Sequence, residues 1–285
     1  MDGRASAEDF LHLPTEKIMS TQATGTPPAR VFVKVWDPIV RIGHWVMVLC
    51  FAALYIKSDK FPLHVYAAYV IMGYMLFRVV YGFVGPRAVR FWTFIYSPKT
   101  MVKYGVDSVV GHPMHTISHN PLGGAMVFAL IFIMLGTCVL GLMLYSAGQE
   151  MGPLGDMVPS DWEDEFTTFA LFGQEITVGL KDLHIWCGNI AASLVTLHLI
   201  GNCWASACHK TNHVLGMITG VKDAEVTDPE LKHYTQVPAP RFASNLTGSV
   251  GPVFTEIILI AGILICIVWP LIELFAWVNR FIPSY

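Results

Sequence analysis

Residues 183–198 read LHIWCGNIAASLVTLH, an apolar run with a histidine near each end. A histidine inside a membrane segment is costly, and its presence argues for a function. His184 and His198 are fourteen residues apart. On a helix that spacing is about 21 Å of rise with an angular offset of about 40°. Both imidazoles therefore share one face of a helix at two depths, one near each surface of a bilayer. Two further histidines, His44 and His64, lie in or at the ends of other apolar runs.

Of the 285 residues, 54% are hydrophobic and 14% charged, against about 25% charged in ordinary soluble domains. The net charge of −3 gives no basic footprint for nucleic acid. The six cysteines, Cys50, Cys138, Cys187, Cys203, Cys208 and Cys266, lie in or beside apolar runs without metal-finger spacing. Cys203 and Cys208 precede His209 as C-x4-C-H, which is not the C-x-x-C-H of covalent haem attachment. They read as small buried residues.

Five runs are long enough to cross hydrocarbon, which takes roughly 20 helical residues: 39–57, 62–84, 122–146, 181–204 and 253–279. The segment Lys57-Ser58-Asp59-Lys60 reads as a tight turn between the first two. Residues 1–29 are polar and rich in Ala, Thr and Pro, with no basic start and apolar stretch of a signal peptide. They read as a flexible cytoplasmic tail. Arg30, Lys34 and Arg41 precede the first run, Arg78, Arg87, Arg90, Lys99 and Lys103 end or follow the second, and Lys210 and Lys222 follow the fourth. The positive-inside bias puts these segments in the cytoplasm, with Tyr285 on the opposite, periplasmic side. The 147–180 loop then falls outside, and it is acidic: Glu150, Asp156, Asp161, Glu163, Asp164, Glu165 and Glu175.

In that orientation the histidines form an inner pair, His44 with His198, and an outer pair, His64 with His184. Paired neutral imidazoles on opposed helices suit a six-coordinate haem iron, which favours electron transfer over oxygen binding. The two pairs are separated by most of a bilayer, so one metal ion cannot serve all four. Gly43, Ala67, Gly73, Gly136, Gly141, Gly188, Ala191 and Ala192 are small enough to admit a flat macrocycle, or simply close helix packing. Trp45, Tyr66, Tyr74, Trp186 and Trp204 suit either haem edges or interfacial anchors. The expected fold is an all-α integral membrane protein, a four-helix di-haem bundle plus a fifth C-terminal transmembrane helix. Its parts are the tail 1–29, a membrane domain 30–225, a cytoplasmic connection 226–252 and an additional helix within 253–285.

The stretch Val33-Lys34-Val35-Trp36-Asp37-Pro38, followed by Arg41-Ile42-Gly43-His44-Trp45, resembles the opening of the bacterial di-haem cytochrome b-561 family. That family includes the b-type cytochrome subunits of Ni,Fe-hydrogenases. Leu63-His64-Val65-Tyr66-Ala67, Phe77-Arg78 through Tyr81-Gly82-Phe83-Val84-Gly85-Pro86-Arg87, His119-Asn120-Pro121-Leu122-Gly123-Gly124, Leu183-His184 and Leu197-His198 extend the likeness over roughly 31–225. The resemblance implies two haems b, held by His44 with His198 and by His64 with His184. It also implies electron passage between a partner redox protein and membrane quinone. His119 and Asn120 read as helix capping and interfacial hydrogen bonding. The fifth run, with Glu256, Pro270 and Glu273, lies beyond the matched core.

Arg41, Arg78 and Lys210 are candidates to neutralise the inner propionates, besides setting topology. Asn202, His209 and His213 are candidate quinone contacts, since a carbonyl needs hydrogen bonds and a proton route. The expected setting is the bacterial inner membrane and its lipid. The partner is a periplasmic hydrogenase, dehydrogenase or c-type cytochrome docking on the acidic 147–180 loop. The alternative is a stand-alone superoxide:quinone oxidoreductase.

Overall fold

The computed structural model describes residues 29–246 apart from 57–60, 112–113, 150–151, 172–173 and 242. The 1–28 part of the tail, the Lys57–Lys60 turn and the fifth apolar run 253–279 lie outside the described residues.

Four helices among the described residues are long and apolar enough to span a membrane. They are α1 (Pro38–Ile56), α2 (Phe61–Val84), α4 (Pro121–Gln149) and α5 (Leu180–His209). A shorter helix, α3 (Pro98–Val110), lies between α2 and α4. Three of them begin with one local device, a capping side chain followed by proline. Asp37 Oδ1 accepts from the Val40 amide at 3.0 Å, Ser97 Oγ from Thr100 at 3.2 Å, and Asn120 Oδ1 from Gly123 at 2.7 Å. The cap satisfies a free amide of the first turn, and the proline behind it gives up no needed donor. Asn120 thus caps α4 as its sequence suggests. His119 does not cap, and its ring turns into the protein between Trp36 and Phe94. α5 continues past residue 204 to His209 and ends at Lys210 in a left-handed conformation, φ 52°.

α4 packs along α5, α1 along α2, and α2 against α4. α5 meets α1 and α2 less closely. The Tyr55 hydroxyl of α1 reaches the Gly188 carbonyl of α5, and His64 of α2 approaches His184 of α5. The mid-bundle core is Ile71, Met75, Met134 and Ala191. Large apolar side chains such as Leu49, Val80 and Phe132 face outward. In hydrocarbon that belt is at home, and the helices satisfy their backbone groups internally.

The spans are helical, and two small antiparallel sheets cap the two ends of the bundle. β2 (Thr167–Leu171) and β3 (Gln174–Val178) form a hairpin ahead of α5. At the other end, α6 (His213–Thr219) leads into a three-stranded sheet. Its strands are β1 (Arg30–Lys34), β4 (Val221–Glu225) and β5 (Thr235–Val237), in the order β4-β1-β5. Arg30 faces Glu225 and Lys34 faces Val221 in the register. Alternate residues Val31, Val33 and Val35 point inward with Trp36, Val40, Val89 and Ile117, and Arg30 pairs with Asp223. The sheet therefore ties the chain before α1 to the chain after α5.

Val33 is fully enclosed. Val33→Ala should cost about 1–3 kcal/mol by the lost contacts and the cavity left behind. Thermal unfolding of the detergent-solubilised protein should show a lowered midpoint.

Candidate haem-binding sites

At the hairpin end, His64 of α2 and His184 of α5 face one another with ring centres 6.1 Å apart and planes at 62°. A first-row metal bonds imidazole nitrogen at about 2 Å, so two imidazoles on opposite sides of one metal have ring centres roughly 6 Å apart. The spacing fits axial ligation. His184 Nδ1 lies 3.1 Å from the Thr137 carbonyl of α4. Nδ1–H donates to that carbonyl, so the lone pair sits on Nε2, the atom left for a metal. His64 Nδ1 is buried without a hydrogen-bond partner. Gly141 of α4 lies flat against the His184 ring, where a Cβ would come within 2.8 Å of Cε1.

At the sheet end, His44 of α1 and His198 of α5 are near enough to act on one another electrostatically. His44 Nδ1 is buried without a partner, and its ring stands edge-on to Trp45 at 5.5 Å. Asn202, one turn along α5, has its amide 3.1 Å from His198 Nε2 and 2.9 Å from the His198 carbonyl. Gly43 lets the Tyr74 ring lie directly on α1, and the Tyr74 hydroxyl reaches the Val40 carbonyl at 3.3 Å. Gly73 and Gly136 border open space instead. Each histidine pair therefore bridges helices that are not in close backbone contact, with an unpaired buried imidazole nitrogen in each. At the hairpin end the ring spacing and the freed Nε2 fit a flat, axially ligated group; at the sheet end His198 Nε2 faces the Asn202 amide, which a metal there would have to displace.

The predicted basic residues occupy three different settings. Arg78 is only 7% exposed. Its guanidinium lies 5.3 Å from the Phe91 ring centre, with one terminal nitrogen buried and unpartnered. The nearby Asp37 carboxylate offsets some of the cost of burying that charge. Arg41 bonds the Ile218 carbonyl and keeps its Nε buried without a partner. Lys210 is exposed at the end of α5. Arg78 is thus the best placed of the three to meet a buried carboxylate.

Beneath the sheet-end pair the structure assembles groups that the sequence did not bring together. His119 sits 4.4 Å from the Phe94 ring centre and 5.0 Å from that of Trp36. Burial, then the Lys222, Arg78 and His198 charges, push its pKa down to about 3, so it is neutral. Lys222, counted in the sequence as a topology charge, is buried and donates to the Ile117 and Ser118 carbonyls at 3.2 and 3.3 Å. Burial lowers its pKa to about 8, against an opposing pull from Asp223. His209 and His213 lie apart from Asn202, around a small cavity that His115 also lines. No pattern in the sequence marks His115 as their neighbour, because the connection from α3 to α4 brings it there.

Residues 35–220 match the family model of prokaryotic cytochrome b561. No curated protein and no solved structure matches the chain.

Gly141→Val should push the His184 ring off its Thr137 partner. The expected result is loss of one haem component from the reduced-minus-oxidised spectrum with the other retained. An unchanged spectrum would separate His184 from haem binding.

Proposed function

Since the chain belongs to the prokaryotic cytochrome b561 family, and so is a multi-pass membrane cytochrome b that binds haem b and transfers electrons, we propose that it holds two haems b in one electron path across the bacterial inner membrane. His64 and His184 hold one, and His44 and His198 the other. The observation that carries this reading is the His64–His184 pair, 6.1 Å between ring centres, with the Thr137 carbonyl fixing the tautomer that frees Nε2. When bound, haem b supplies a one-electron iron couple whose potential the surrounding protein tunes.

The chain's own residues do the rest. Thr137 orients His184, and Gly141 leaves room for its ring. Arg78, buried with one terminal nitrogen unpaired, and Arg41 would neutralise the propionates of a haem at the sheet end, and Lys210 adds surface charge there. Trp45 packs edge-on beside His44, and Tyr74 packs on the adjoining Gly43.

The sheet end carries Arg30, Lys34, Arg41, Arg87, Arg90, Lys99, Lys103 and Lys210, and it is the cytoplasmic end by the positive-inside rule. The N-terminus lies there, and the C-terminus on the periplasmic side. The hairpin end exposes Asp156, Asp161, Asp164, Glu165 and Glu175. A periplasmic redox protein with a basic docking face, such as a c-type cytochrome or a hydrogenase or dehydrogenase subunit, meets complementary charge there. The same carboxylates repel the superoxide anion, which counts against a stand-alone superoxide:quinone oxidoreductase. Quinone exchanges electrons at the sheet end, with Asn202 beside His198 and His209 and His213 around the separate cavity as candidate contacts.

Pyridine haemochrome analysis against protein concentration should give two haems b per chain. His64→Ala and His184→Ala should each deplete one spectral component, and His44→Ala and His198→Ala the other. Depletion of the same component by His44→Ala and His64→Ala would refute the pairing.

A further inference from the structure

A cavity of about 20 Å³ lies between the end of α5, α6, β4 and the segment leading into α4. Three buried polar atoms without partners belong to its lining: His209 Nδ1, His213 Nε2 and Asp223 Oδ1. His209 and Asp223 are each only 8% exposed. Orphaned buried polar atoms are rare, and each asks for a partner.

Their hydrogen-bonding states are complementary. Tyr104 OH lies 3.1 Å from His209 Nε2. With the phenol donating, His209 carries its own proton on Nδ1 and offers a donor to the cavity. His213 is bonded through its other nitrogen to the Ala205 backbone, which leaves Nε2 as an acceptor. Asp223 Oδ2 is taken by Arg30, so Oδ1 is a second acceptor. One water accepting from His209 and donating to His213 and Asp223 would satisfy all three. Such a water needs roughly 10–15 Å³ and typically about three partners. Among the described residues no group of His, Cys, Asp or Glu is arranged to hold a metal ion. The adjacent Lys222 and Arg30 cations also oppose one.

The water would complete a chain of acid–base groups. His115, half exposed and near Glu225, has its ring centre 4.8 Å from that of His209. His209 and His213 are 6.3 Å apart. Lys222 borders the same cavity and bonds the carbonyls of Ile117 and Ser118, next to His119 and so close to His198.

We propose that His115, His209 and His213, joined by water in this cavity, form a proton-uptake site that carries protons from the aqueous phase to the sheet end of the bundle in step with electron transfer. An electron arriving there is a negative charge in a low-dielectric setting and draws a proton toward it. The proton comes to rest on His213 Nε2: the cavity water loses an O–H bond as that N–H forms and takes the proton of His209 Nδ1, which the aqueous phase replaces at the same nitrogen by way of His115, and the imidazolium gives the proton up again when the electron leaves. The quinone reduction proposed above consumes two protons with two electrons, the electrons coming from the redox partner. The linkage to quinone rests on that reading, and the uptake of protons on electron delivery does not. Burial, then the Lys222 and His209 charges, hold His213 neutral well below its ordinary value. Lys222, its pKa lowered by burial to about 8, donates to the Ile117 and Ser118 carbonyls and is a standing cation beside the cavity. Asp228 and Glu225 are the other charged groups at the rim.

The test uses haem-loaded protein in weak buffer with a pH-indicating dye. Electrons are delivered by an artificial one-electron donor, first without and then with a water-soluble quinone. Wild-type protein should take up protons as electrons arrive. His209→Phe, His213→Leu and His115→Ala should slow that uptake, by roughly 10²-fold at the two buried positions. Haem content, spectrum and the rate of haem reduction should stay unchanged, and added imidazole should restore uptake. The surface variant His115→Ala keeps the test valid if a buried variant does not fold. Wild-type uptake rates in folded variants would overturn the proposal, as would absence of uptake by the wild-type protein. Uptake that the variants lose, without any quinone reduction, supports the relay and removes the quinone reading. Quinone reduction with uptake unaffected by the variants does the reverse.

Discussion

A neutral imidazole brings two nitrogens into the membrane, and in hydrocarbon each of them needs a partner. The arrangement of the four spans follows from that demand. His184 gives one nitrogen to the Thr137 carbonyl of α4 and turns the other toward His64. α4 is therefore more than a wall of the bundle. Its carbonyl selects the tautomer of a side chain on α5, and Gly141 on the same helix lets the ring lie close enough for that bond to form. The bond and the glycine work together, since a larger residue would separate the ring from the carbonyl that orients it. His44 and His64 have no such protein partner for Nδ1. Their position is set by the helices that carry them, not by a hydrogen bond at that nitrogen.

The four spans and the Asn120 cap were legible in the sequence, because each rests on short-range pattern. Asn120-Pro121 announces a helix start within a few residues. The spacing of His184 and His198 places both on one helix face whatever the neighbours do. The three-stranded sheet was not legible. β1 has five residues, and its partner β4 lies nearly the whole described chain away. The alternation of Val31, Val33 and Val35 is too short to stand out beside an apolar span. Lys222 was misjudged for the same reason, as its burial follows from strand pairing and not from its local sequence. His115 joined His209 and His213 only through the fold, and such proximity has no signature in spacing.

The sheet also explains why the two ends of the bundle differ in character. At the hairpin end, β2 and β3 pair with each other among the described residues, and Glu175 of β3 stays in water with Asp156, Asp161, Asp164 and Glu165 of the segment before them. Charge there remains on the surface, where it steers an encounter and is screened by salt. At the sheet end, the strands close over Trp36, Lys222 and the segment before α4, so part of the charge is taken inside. Buried charge has to be matched locally, and each case here is matched differently. Arg30 takes Asp223, Lys222 takes two carbonyls, and Arg78 has Asp37 nearby with one nitrogen still unpaired.

That inward charge sets what the sheet end can do. Burial first, and its cations second, disfavour protonated histidines, and His119 and His213 are held neutral. Neutral imidazoles can pass protons without adding a standing positive charge to a site that already has several. The β1–β4 register places Asp223 opposite Phe32 and leaves its carboxylate beside Arg30, with one oxygen at the cavity. A register slip of one residue would reverse the face to which each of Lys222 and Asp223 points and would part Asp223 from Arg30. The cavity would then lose its acceptor and its cation together. The geometry of the polar cluster thus depends on backbone pairing between the two ends of the membrane domain, and the chemistry there is bound to the same strands that close the fold.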